Sequence, residues 1–545
     1  EKNSLWIDFT YQDFDACKLC EQLGAVGQAL QSTHADYQES SKCLEIRDRH
    51  TTGLTGPYRK EDLNKADHGN YFKLIFDSGI NQTQAGAGGN WGFGKSVYYR
   101  ISRAGIVVYY SQIRTGDAND ASSETEERLI VTMVEDESKE SAILPTFTKQ
   151  PSGRAWWGQA NTPSGTVLPV TNHEDIEAFL SIFNLKPFKK GETGTSVIIP
   201  FVDEAKVLDD IIPEEGQSTE EFDRCVWKET VPAYIKHALQ KWYAPRIGNK
   251  ELEKLDSVGK KIRATIHHDG ESETLKYVSM DPLFKLVQDL YNAALFSCHD
   301  RKLDSQAINS YEIKTQDIRT RKDGLEQPSK VGCIAYVKTT SRQLYGQQAG
   351  LDPFILTGNF NNNRDENEPI VMFAREPGMI ITYSIDGTWT KGVKAPPSNG
   401  NASNNEFIFA FFIPKVTNRF KPDSQAYKEG YANIGEYIRA CEDSDHANWE
   451  DKAKFKLISK IKANVGRKIA EGIKPAEISA INASASRLSG KLGTALLPTR
   501  GLLASDDSPK QKRRKSLGKN SDSSHGARPS FTTGIPEWKN GNLIL

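Results

Sequence analysis

Residues 89–96 read Gly-Asn-Trp-Gly-Phe-Gly-Lys-Ser, which matches the P-loop pattern GxxxxGK[ST] at every fixed position. In a P-loop, backbone N–H groups of the glycine-rich turn surround phosphate oxygens. The lysine and the hydroxyl, here Lys95 and Ser96, face the phosphates and a metal ion. The same letters fit a second type of ATP site, in which the glycines form a flexible lid. Both interpretations predict that the chain binds a nucleoside triphosphate.

A P-loop follows directly on a buried parallel strand. The nearest predicted strand, Tyr71–Phe76, is separated from Gly89 by the polar, glycine-rich segment Asp77–Gly88, which suits a mobile loop better than a tight turn. The strand Leu129–Val134, followed by two acidic residues, imitates the Walker B strand of P-loop proteins. A P-loop NTPase therefore stays open as an alternative.

Two further segments accompany the glycine-rich loop in a fixed order. Upstream, Leu44–Pro57 reads as a strand ending in Asp48 and then a turn that contains Gly53. Downstream, Lys190–Pro200 reads as a turn whose Gly-Thr pair, ending at Thr195, leads into a strand. Each segment alone is common in proteins, so the order of the three carries the prediction.

This order resembles the GHKL ATPases, the superfamily of gyrase B, heat-shock chaperones, histidine kinases and MutL. The resemblance implies that Asp48 accepts a hydrogen bond from the adenine amino group, that Gly53 lets the backbone pass the base, and that Thr195 supports the pocket floor. It also implies ATP and Mg²⁺ as ligands. The lid around the phosphates would comprise Gly88, Gly89, Gly92, Phe93, Gly94, Lys95 and Ser96.

The chain departs from the superfamily pattern in two places. The usual DxGxG is one residue longer here, from Asp48 to Gly53. The motif that supplies a Glu as general base and an Asn for Mg²⁺ is absent, since Gln31–Asp36 imitates it only faintly. Because the chain begins with Glu1 rather than Met, we expect that helix to lie upstream. The catalytic base and the metal ligand are therefore unassigned.

Two later segments resemble one bacterial branch, the MutL-like and MORC-like proteins of phage-defence and restriction-linked gene clusters. They are Arg375–Tyr383 and Cys441–Trp449, and the turn Thr51–Gly56 and the loop Gly88–Lys95 agree with them. The resemblance implies an ATP-gated dimeric clamp that acts on DNA, or a regulator of partner defence proteins such as a nuclease or helicase. It also implies a transducer domain with a lysine for the γ-phosphate. A chaperone-like ATP-binding scaffold without DNA contact is a further alternative.

The secondary-structure pattern predicts an α+β chain with a GHKL-type α/β sandwich at residues 1–212. A transducer-like α/β domain is predicted at 213–480, and a basic, partly flexible tail at 481–545. The tail carries a run of cations that is either a solvated linker or a contact to the nucleic-acid backbone. Its members are Lys510, Lys512, Arg513, Arg514 and Lys515.

Strands are predicted at Leu5–Phe9, Cys43–Arg47, Tyr71–Phe76, Gly105–Tyr110, Arg128–Val134, Thr195–Phe201, Lys261–Ile266, Cys333–Thr339, Pro369–Ala374, Met379–Ser384 and Glu406–Pro414. Helices are predicted at Asp15–Leu30, Lys95–Arg103, Glu220–Tyr243, Pro282–Ala294, Ser424–Ala440 and Lys452–Ala470. The acidic and histidine residues before Trp449 are predicted to belong to a packing segment rather than to a metal or catalytic site.

Composition gives the setting of these motifs. Seventy Lys and Arg residues against 71 Asp and Glu residues leave the chain near neutrality, so net charge indicates no partner. No segment approaches the roughly 20 apolar residues that span a bilayer, and no membrane contact or signal peptide is predicted. Seven cysteines, an odd and scattered set, favour a reducing cytoplasm. The Cys17 and Cys20 pair is predicted to consist of helix thiols rather than zinc ligands.

Overall fold

The fold is described from a computed structural model of the 545-residue chain. The structure describes residues 4–33, 37, 40–62, 69–76, 96–116, 124–136, 138, 142–147, 153–161, 166–209, 225–255, 259–303, 311–320, 324–326, 330–346, 350–359, 369–375, 378–385, 390, 406–443, 448–452, 454–473, 537–539 and 542–544. The chain divides into two compact units, Glu1–Lys474 and Pro475–Leu545.

The first part of the larger unit alternates strands and short helices. Its elements are β1 Ser4–Asp15, α1 Ala16–Gln22, α2 Ala25–Thr33, β2 Ser40–Arg49, α3 Gly69–Ile75, α4 Ser96–Ile101, β3 Ile106–Arg114, β4 Thr125–Val134, β5 Arg154–Trp157, β6 Gln159–Asn161, β7 Thr166–Leu168, α5 His173–Ser181, β8 Gly194–Pro200 and α6 Glu204–Asp209.

The second part begins with a long helix and contains a second set of strands. Its elements are α7 Val231–Tyr243, β9 Lys261–His268, β10 Glu271–Thr274, α8 Pro282–Cys298, β11 Lys314–Arg319, β12 Lys330–Thr340, α9 Ser341–Tyr345, α10 Pro353–Leu356, β13 Ile370–Ala374, β14 Ile380–Ser384, β15 Glu406–Pro414, α11 Gln425–Lys428, α12 Ile434–Cys441 and α13 Leu457–Ile473. Short 3₁₀ turns lie at Lys60–Asp62, Leu144–Thr146, Val226–Lys228, Lys250–Lys254 and Tyr277–Ser279.

Among the described residues, eight strands form one sheet in the order β10-β9-β1-β2-β8-β3-β4-β5. Neighbouring strands are antiparallel except β1 and β9, which are parallel. A five-stranded sheet has the order β11-β12-β15-β13-β14. Strands and helices therefore mix as the α+β prediction requires. Strands β9 and β10, from beyond residue 212, lie in the first sheet, and the predicted domain limits stay a prediction.

Helix α8 shows how the larger unit is held together. It is buried on every side, including its polar residues Gln288, Asp289 and Asn292. One apolar cluster joins this helix to strands of both sheets, for example to Ala264 of β9 and Phe411 of β15. A helix whose residues are buried on nearly every side lies within a core. The two sheets consequently share a continuous hydrophobic core through α8.

The two faces of the eight-stranded sheet differ in what covers them. Because side chains alternate along a strand, Leu44 of β2 contributes to the cluster shared with α3, α7 and α8. Its neighbour Cys43 contributes to a second cluster, which holds α1, α2 and α5 against the opposite face. A third cluster packs α12 and α13 on the five-stranded sheet.

Several predicted elements differ from the observed ones. The predicted strand Tyr71–Phe76 is wrong, since Gly69–Ile75 is helical. The predicted helix Asp15–Leu30 is broken at Gly24, whose φ is +60°. The predicted helix Ser424–Ala440 is two helices, separated at Gly430 with φ +97°.

Helix α7 is shorter than predicted, because Thr230 caps its start and Pro232 occupies its first turn. The other predicted strands are confirmed. Most of them extend further than predicted, β13 and β14 each begin one residue later than predicted, and β15 has the predicted bounds. In the smaller unit, the described strands β16 Glu537–Lys539 and β17 Asn542–Ile544 form an antiparallel pair.

Candidate functional site

Asp48 lies near the end of β2 and is part-buried. On the adjacent strands it stands opposite Ile7 of β1 and Thr195 of β8. Its Oδ1 atom accepts hydrogen bonds from the Thr195 backbone N–H (3.2 Å) and from the Thr51 hydroxyl. Within the described part of the chain, Oδ2 has no hydrogen-bond donor. One carboxylate oxygen is thus fixed by the protein, and the other keeps its acceptor capacity within the described residues.

The turn after β2 follows a path that only a few residues permit. His50 has φ +60° and Gly53 has φ +67°, both in the left-handed region. A Cβ atom added to Gly53 would lie 2.7 Å from the Ser111 hydroxyl oxygen and 2.9 Å from the Gly194 carbonyl oxygen. Glycine at position 53 therefore satisfies both the backbone conformation and the lack of space.

Two side chains outside the sequence motifs, Ser111 and Arg128, hold this turn. The Ser111 hydroxyl on β3 donates to the Gly194 carbonyl (2.7 Å) and accepts from the Leu54 backbone N–H (2.9 Å). Arg128 on β4 donates to the carbonyls of Leu54 (3.0 Å) and Gly56 (2.6 Å). These contacts join the turn to two strands that are more than fifty residues away in sequence.

Helix α3 supports the same turn from the other side. The Asn70 amide donates to the Gly53 carbonyl (3.4 Å) and to the Thr55 hydroxyl (3.2 Å), and the Tyr71 backbone N–H donates to the Thr55 carbonyl (3.0 Å). Tyr71 is buried, and the Arg128 guanidinium lies 5.7 Å from its ring centroid. The segment that sequence reasoning assigned to a strand is thus a helix that positions the turn.

On the sheet face that carries Asp48, one row of side chains across the strands is polar and the adjacent row is apolar. Asp48, Thr195 and Ser111 occupy one row across neighbouring strands. The adjacent row across the same strands is Ile46, Val197 and Tyr109. Val197 and Tyr109 are buried in the apolar cluster on this face, so Asp48 lies at the polar edge of an apolar core row.

Helix α4, which follows the glycine-rich loop, packs on this same face. Its part-buried Tyr98 belongs to the cluster that contains Leu44 and Val197. Burial raises the pKa of the Tyr98 hydroxyl, and the nearby Asp48 and Tyr243 raise it further. The helix that begins after the predicted lid therefore lies within electrostatic reach of Asp48.

A cavity of about 550 Å³ opens next to the turn. His50, Thr51 and Thr193 form part of its wall, and Arg114, Arg246 and Lys260 bring positive charge to it. The Thr193 hydroxyl donates to the Thr51 carbonyl (2.6 Å), which closes the wall between β2 and β8. A cavity of this size accommodates a small organic ligand, and its cations suit an anionic group.

The electrostatic state of Asp48 follows from its surroundings. Burial raises the pKa of the Asp48 carboxyl, while hydrogen bonds from Thr51 and the Thr195 backbone lower it in part. A carboxylate held by two hydrogen bonds in a partly desolvated place gains from a further donor, because a buried acceptor without a partner is costly.

Other predicted site residues are less fully placed. Gly88–Lys95 and Lys510–Lys515 lie outside the described residues. Ser96 begins α4 and borders a separate cavity of about 630 Å³ with Arg100 and Arg103. Gln31 lies in α2, which packs against the sheet face opposite Asp48, so the described start of the segment that imitates the missing motif is on the wrong face of the sheet, and residues 34–36 lie outside the described residues.

The two segments assigned to the bacterial branch meet in space. The Arg375 guanidinium forms an ion pair with Glu442 (Nε to Oε2, 3.3 Å), and Glu442 is fully buried. The Trp449 indole N–H donates to the same Oε2 atom (3.2 Å), and its ring packs 4.7 Å from that of Phe373. Trp449 is therefore a packing residue, as predicted, while Asp445 and His446 lie outside the described residues.

Three further observations concern the cysteines, possible metal ligands and the helices. Cys20 is buried in α1 and Cys43 in β2, and none of the seven cysteines, all of them described, forms a disulfide. The part of the chain that the structure describes contains no group of three His, Cys, Asp or Glu side chains able to hold a metal ion. None of the described helices is long and apolar enough to cross a lipid bilayer.

Comparison with known proteins gives limited information. No model of a known protein family matches the chain, and no characterised protein matches it. Among solved structures, two matches are to the ATPase region of Saccharomyces cerevisiae topoisomerase II, one of them bound to ICRF-187 (dexrazoxane). Each is 10% identical, covers 76% of this chain and 69% of the other chain, and has a TM-score of 0.28. A TM-score this low supports no conclusion about the function of this chain.

Proposed function

We propose that the chain is a GHKL-type ATPase and that Asp48 reads the adenine amino group. The observation that carries this proposal is the Asp48 carboxylate itself, whose Oδ1 is fixed by Thr51 and Thr195 and whose Oδ2 has no donor within the described residues. Gly53 brings the backbone close to the same place, and the part-buried Ile46 lies beside Asp48 on the same face of β2.

The groups around the Asp48 carboxylate support the binding of a whole nucleotide rather than of a base alone. Arg114, Arg246 and Lys260 line the adjoining cavity and suit a phosphate group. The motif order places the glycine-rich loop directly before α4, which packs on the Asp48 face. A loop in that position is well placed to cover a bound triphosphate, with Lys95 as an additional cation.

The P-loop alternative is weaker. A P-loop needs a strand before its glycine-rich turn, and the nearest predicted strand is Tyr71–Phe76. Gly69–Ile75 is a helix instead. The segment that imitates a Walker B strand lies in β4, which pairs antiparallel with both β3 and β5. P-loop proteins have a parallel sheet at this place. The catalytic base stays unassigned. Since the described residues offer no metal-binding group, we assign no reaction step to Mg²⁺.

Equilibrium binding of ATP to the full chain tests this function. We expect Asp48→Ala to weaken ATP binding at least about tenfold, because a buried adenine donor loses its charged acceptor. Asp13→Ala is the matched control, since it removes an exposed carboxylate from β1 of the same sheet and should leave binding unchanged. An Asp48→Ala variant that folds and binds ATP normally would refute the assignment.

A third variant separates the two kinds of nucleotide site. In a P-loop, Lys95→Ala should abolish nucleotide binding, because that lysine is the central phosphate contact. In a lid it should weaken binding less than Asp48→Ala does. Loss of binding in Lys95→Ala together with normal binding in Asp48→Ala would therefore favour the P-loop class.

The wider role that we propose is an ATP-gated dimeric clamp on DNA, or a regulator of partner defence proteins, in the cytoplasm of bacteria. Its support is the resemblance of the four motifs to MutL-like and MORC-like proteins, and the basic run Lys510–Lys515. The spatial contact of Arg375 with Glu442 adds that two of those motifs form one structural unit. An ATP-binding scaffold that does not touch DNA is the alternative.

A further inference from the structure

Two buried thiols meet where the end of α8 packs on β12. Cys298 is the last residue of α8 and is 3% exposed, and Cys333 of β12 is fully buried. The Cys298 thiol donates to the carbonyl of Ile413 (3.5 Å), and Ile413 stands directly opposite Cys333 on β15. The two side chains therefore share one space between helix and sheet, and their thiols are in hydrogen-bonding contact with each other.

Lys330 and Asp317 connect the two thiols through polar contacts. The Lys330 ammonium donates to the Ser297 carbonyl (3.0 Å) and lies 3.1 Å from the Oδ1 atom of Asp317. The Cys333 thiol donates to that same Oδ1 atom (3.4 Å). Because Ser297 immediately precedes Cys298, one lysine joins the backbone beside one thiol to the carboxylate beside the other. These contacts hold the end of α8 and β12 together without a covalent bond.

The groups around Cys333 favour its reaction as a nucleophile. A hydrogen bond from the Cys298 thiol lowers the pKa of the Cys333 thiol, and a hydrogen bond from Ser297 lowers it further. The positive charge of Lys330 acts in the same direction, while burial acts against it. The thiolate is the reactive form of cysteine, so a lower pKa makes Cys333 more reactive. Burial instead raises the pKa of the thiols of Cys20, Cys43 and Cys441.

We propose that Cys298 and Cys333 form a modification site for hydrogen peroxide, which converts the two thiols to a disulfide between α8 and β12. The Cys333 thiolate attacks one peroxide oxygen, the O–O bond breaks, and the thiol proton leaves with the departing hydroxide as water. Cys333 is then a sulfenic acid. The Cys298 sulfur attacks it, the S–O bond breaks, and the Cys298 proton leaves with hydroxide as a second water. The two thiols lose two electrons, and the peroxide gains them.

The peroxide reaches the two thiols through the end of α8. Cys298 lies two residues before Asp300, whose side chain is 70% exposed. Hydrogen peroxide is close to water in size, and helix ends open locally at a small cost in free energy. When the last turn of α8 moves, Cys333 stays on β12 beside Lys330 and Asp317. The reaction therefore requires a local opening and is slower than the oxidation of an exposed thiol.

The disulfide would fix the helix that the two sheets share. Helix α8 packs on the five-stranded sheet and, through Ala264 of β9, on the eight-stranded sheet. A cross-link stabilises a fold chiefly by restricting the unfolded chain. The oxidised chain should therefore unfold at a higher denaturant concentration than the reduced chain. Neither thiol lines the cavity beside Asp48, so their oxidation is independent of whether the chain binds ATP.

Peptide mapping of the full chain after treatment with hydrogen peroxide tests the proposal and requires no variant. Remaining thiols are blocked with N-ethylmaleimide, and the chain is digested without reductant. We expect the peptides of Cys298 and Cys333 to be linked, and the urea midpoint to rise on oxidation and to return with dithiothreitol. Cys298→Ser should remove the link and leave a sulfenic acid at Cys333 that dimedone traps. Cys441→Ser, at another fully buried cysteine, is the matched control and should keep the link.

The rate of oxidation provides an independent measurement. Asp317→Asn removes the negative charge beside Cys333 and should increase the rate at least about threefold, the gain in thiolate from a pKa lowered by about half a unit. Glu406→Gln is the matched control, because Glu406 is similarly exposed (31% against 30%) in an ion pair on the same sheet, and should not change the rate.

Three results would overturn the proposal. The first is a folded chain whose Cys298 and Cys333 stay unlinked while glutathione in the same solution is oxidised. The second is a disulfide between Cys17 and Cys20 alone. The third is an equal rate of oxidation in the Asp317 and Glu406 variants.

Discussion

The geometry at Gly53 connects one residue to the whole candidate site. Position 53 has a left-handed φ and lies against Ser111 and Gly194 with no space for a side chain. The hydrogen bond of Ser111 to the next residue, Leu54, depends on this close approach. The turn that borders Asp48 therefore requires glycine for two independent reasons.

We predict that Gly53→Ala lowers the free energy of unfolding by about 2 kcal/mol more than Gly24→Ala does. Gly24 is the matched control, because it has a similar φ of +60° but nothing within 4 Å of the added Cβ. The difference between the two variants separates the cost of the steric clash from the cost of the left-handed backbone conformation. Urea unfolding measures both variants, and ATP binding should decline only in Gly53→Ala. Equal destabilisation by the two changes would contradict the steric argument.

The sequence predicts part of the arrangement around Asp48. The order of the motifs predicts Asp48 and Thr195 as site residues, and the strand register places the two directly opposite each other, while their role in binding a nucleotide stays a prediction. Ser111 and Arg128 were not predicted, because they contact the turn only after β3 and β4 have paired with β8 and with each other. A serine or an arginine within a strand has no local signal for such a long-range contact.

At the level of elements, short apolar segments predict the type of secondary structure least reliably. Tyr71–Phe76 is rich in aromatic residues and reads as a strand, but Tyr71 and Ile75 are buried one helical turn apart. A run of this length cannot distinguish a strand from a helix by periodicity alone. The division of the predicted helix Ser424–Ala440 had a visible signal, since Gly430 precedes Asn433, whose side chain caps the next helix.

The ion pair between Arg375 and Glu442 joins the end of β13 to the end of α12. Glu442 is fully buried and Arg375 is largely buried, so the loss of one charge would leave the other desolvated. Buried pairs of this type are costly to break from one side. This contact is consequently a main link between two segments that are far apart in sequence.

We predict that Glu442→Gln lowers the free energy of unfolding by about 3 kcal/mol. The substitution keeps the shape of the side chain and its acceptor for Trp449, so the effect reports the lost charge. Glu471→Gln is the control, because Glu471 belongs to a largely exposed helical pair with Arg467 and should cost less than about 0.5 kcal/mol. Denaturant midpoints of both variants test this, and similar values would show that the buried pair contributes little.

At the level of the whole molecule, the core and the proposed DNA contact belong to different units. All three apolar clusters lie within Glu1–Lys474, and α8 connects the two sheets there. The basic run at 510–515 belongs to the Pro475–Leu545 unit. Stability and ATP binding should therefore be separable from DNA affinity.

We predict that replacing the five basic residues Lys510, Lys512, Arg513, Arg514 and Lys515 by Gln weakens DNA binding and leaves the unfolding midpoint and ATP affinity unchanged. If all five contact phosphates, the slope of log affinity against log salt should become shallower by about 4 to 5, near 0.9 per contact. The measurement is a salt titration of duplex DNA binding by the full chain.

The control replaces five exposed lysines of the larger unit by Gln, at positions 302, 314, 421, 428 and 456. It changes the net charge by the same amount without touching the basic run. A salt slope that falls equally in both variants would show that overall charge, rather than the run at 510–515, attracts DNA. A full chain that binds no DNA at low salt would favour the ATP-binding scaffold over the clamp.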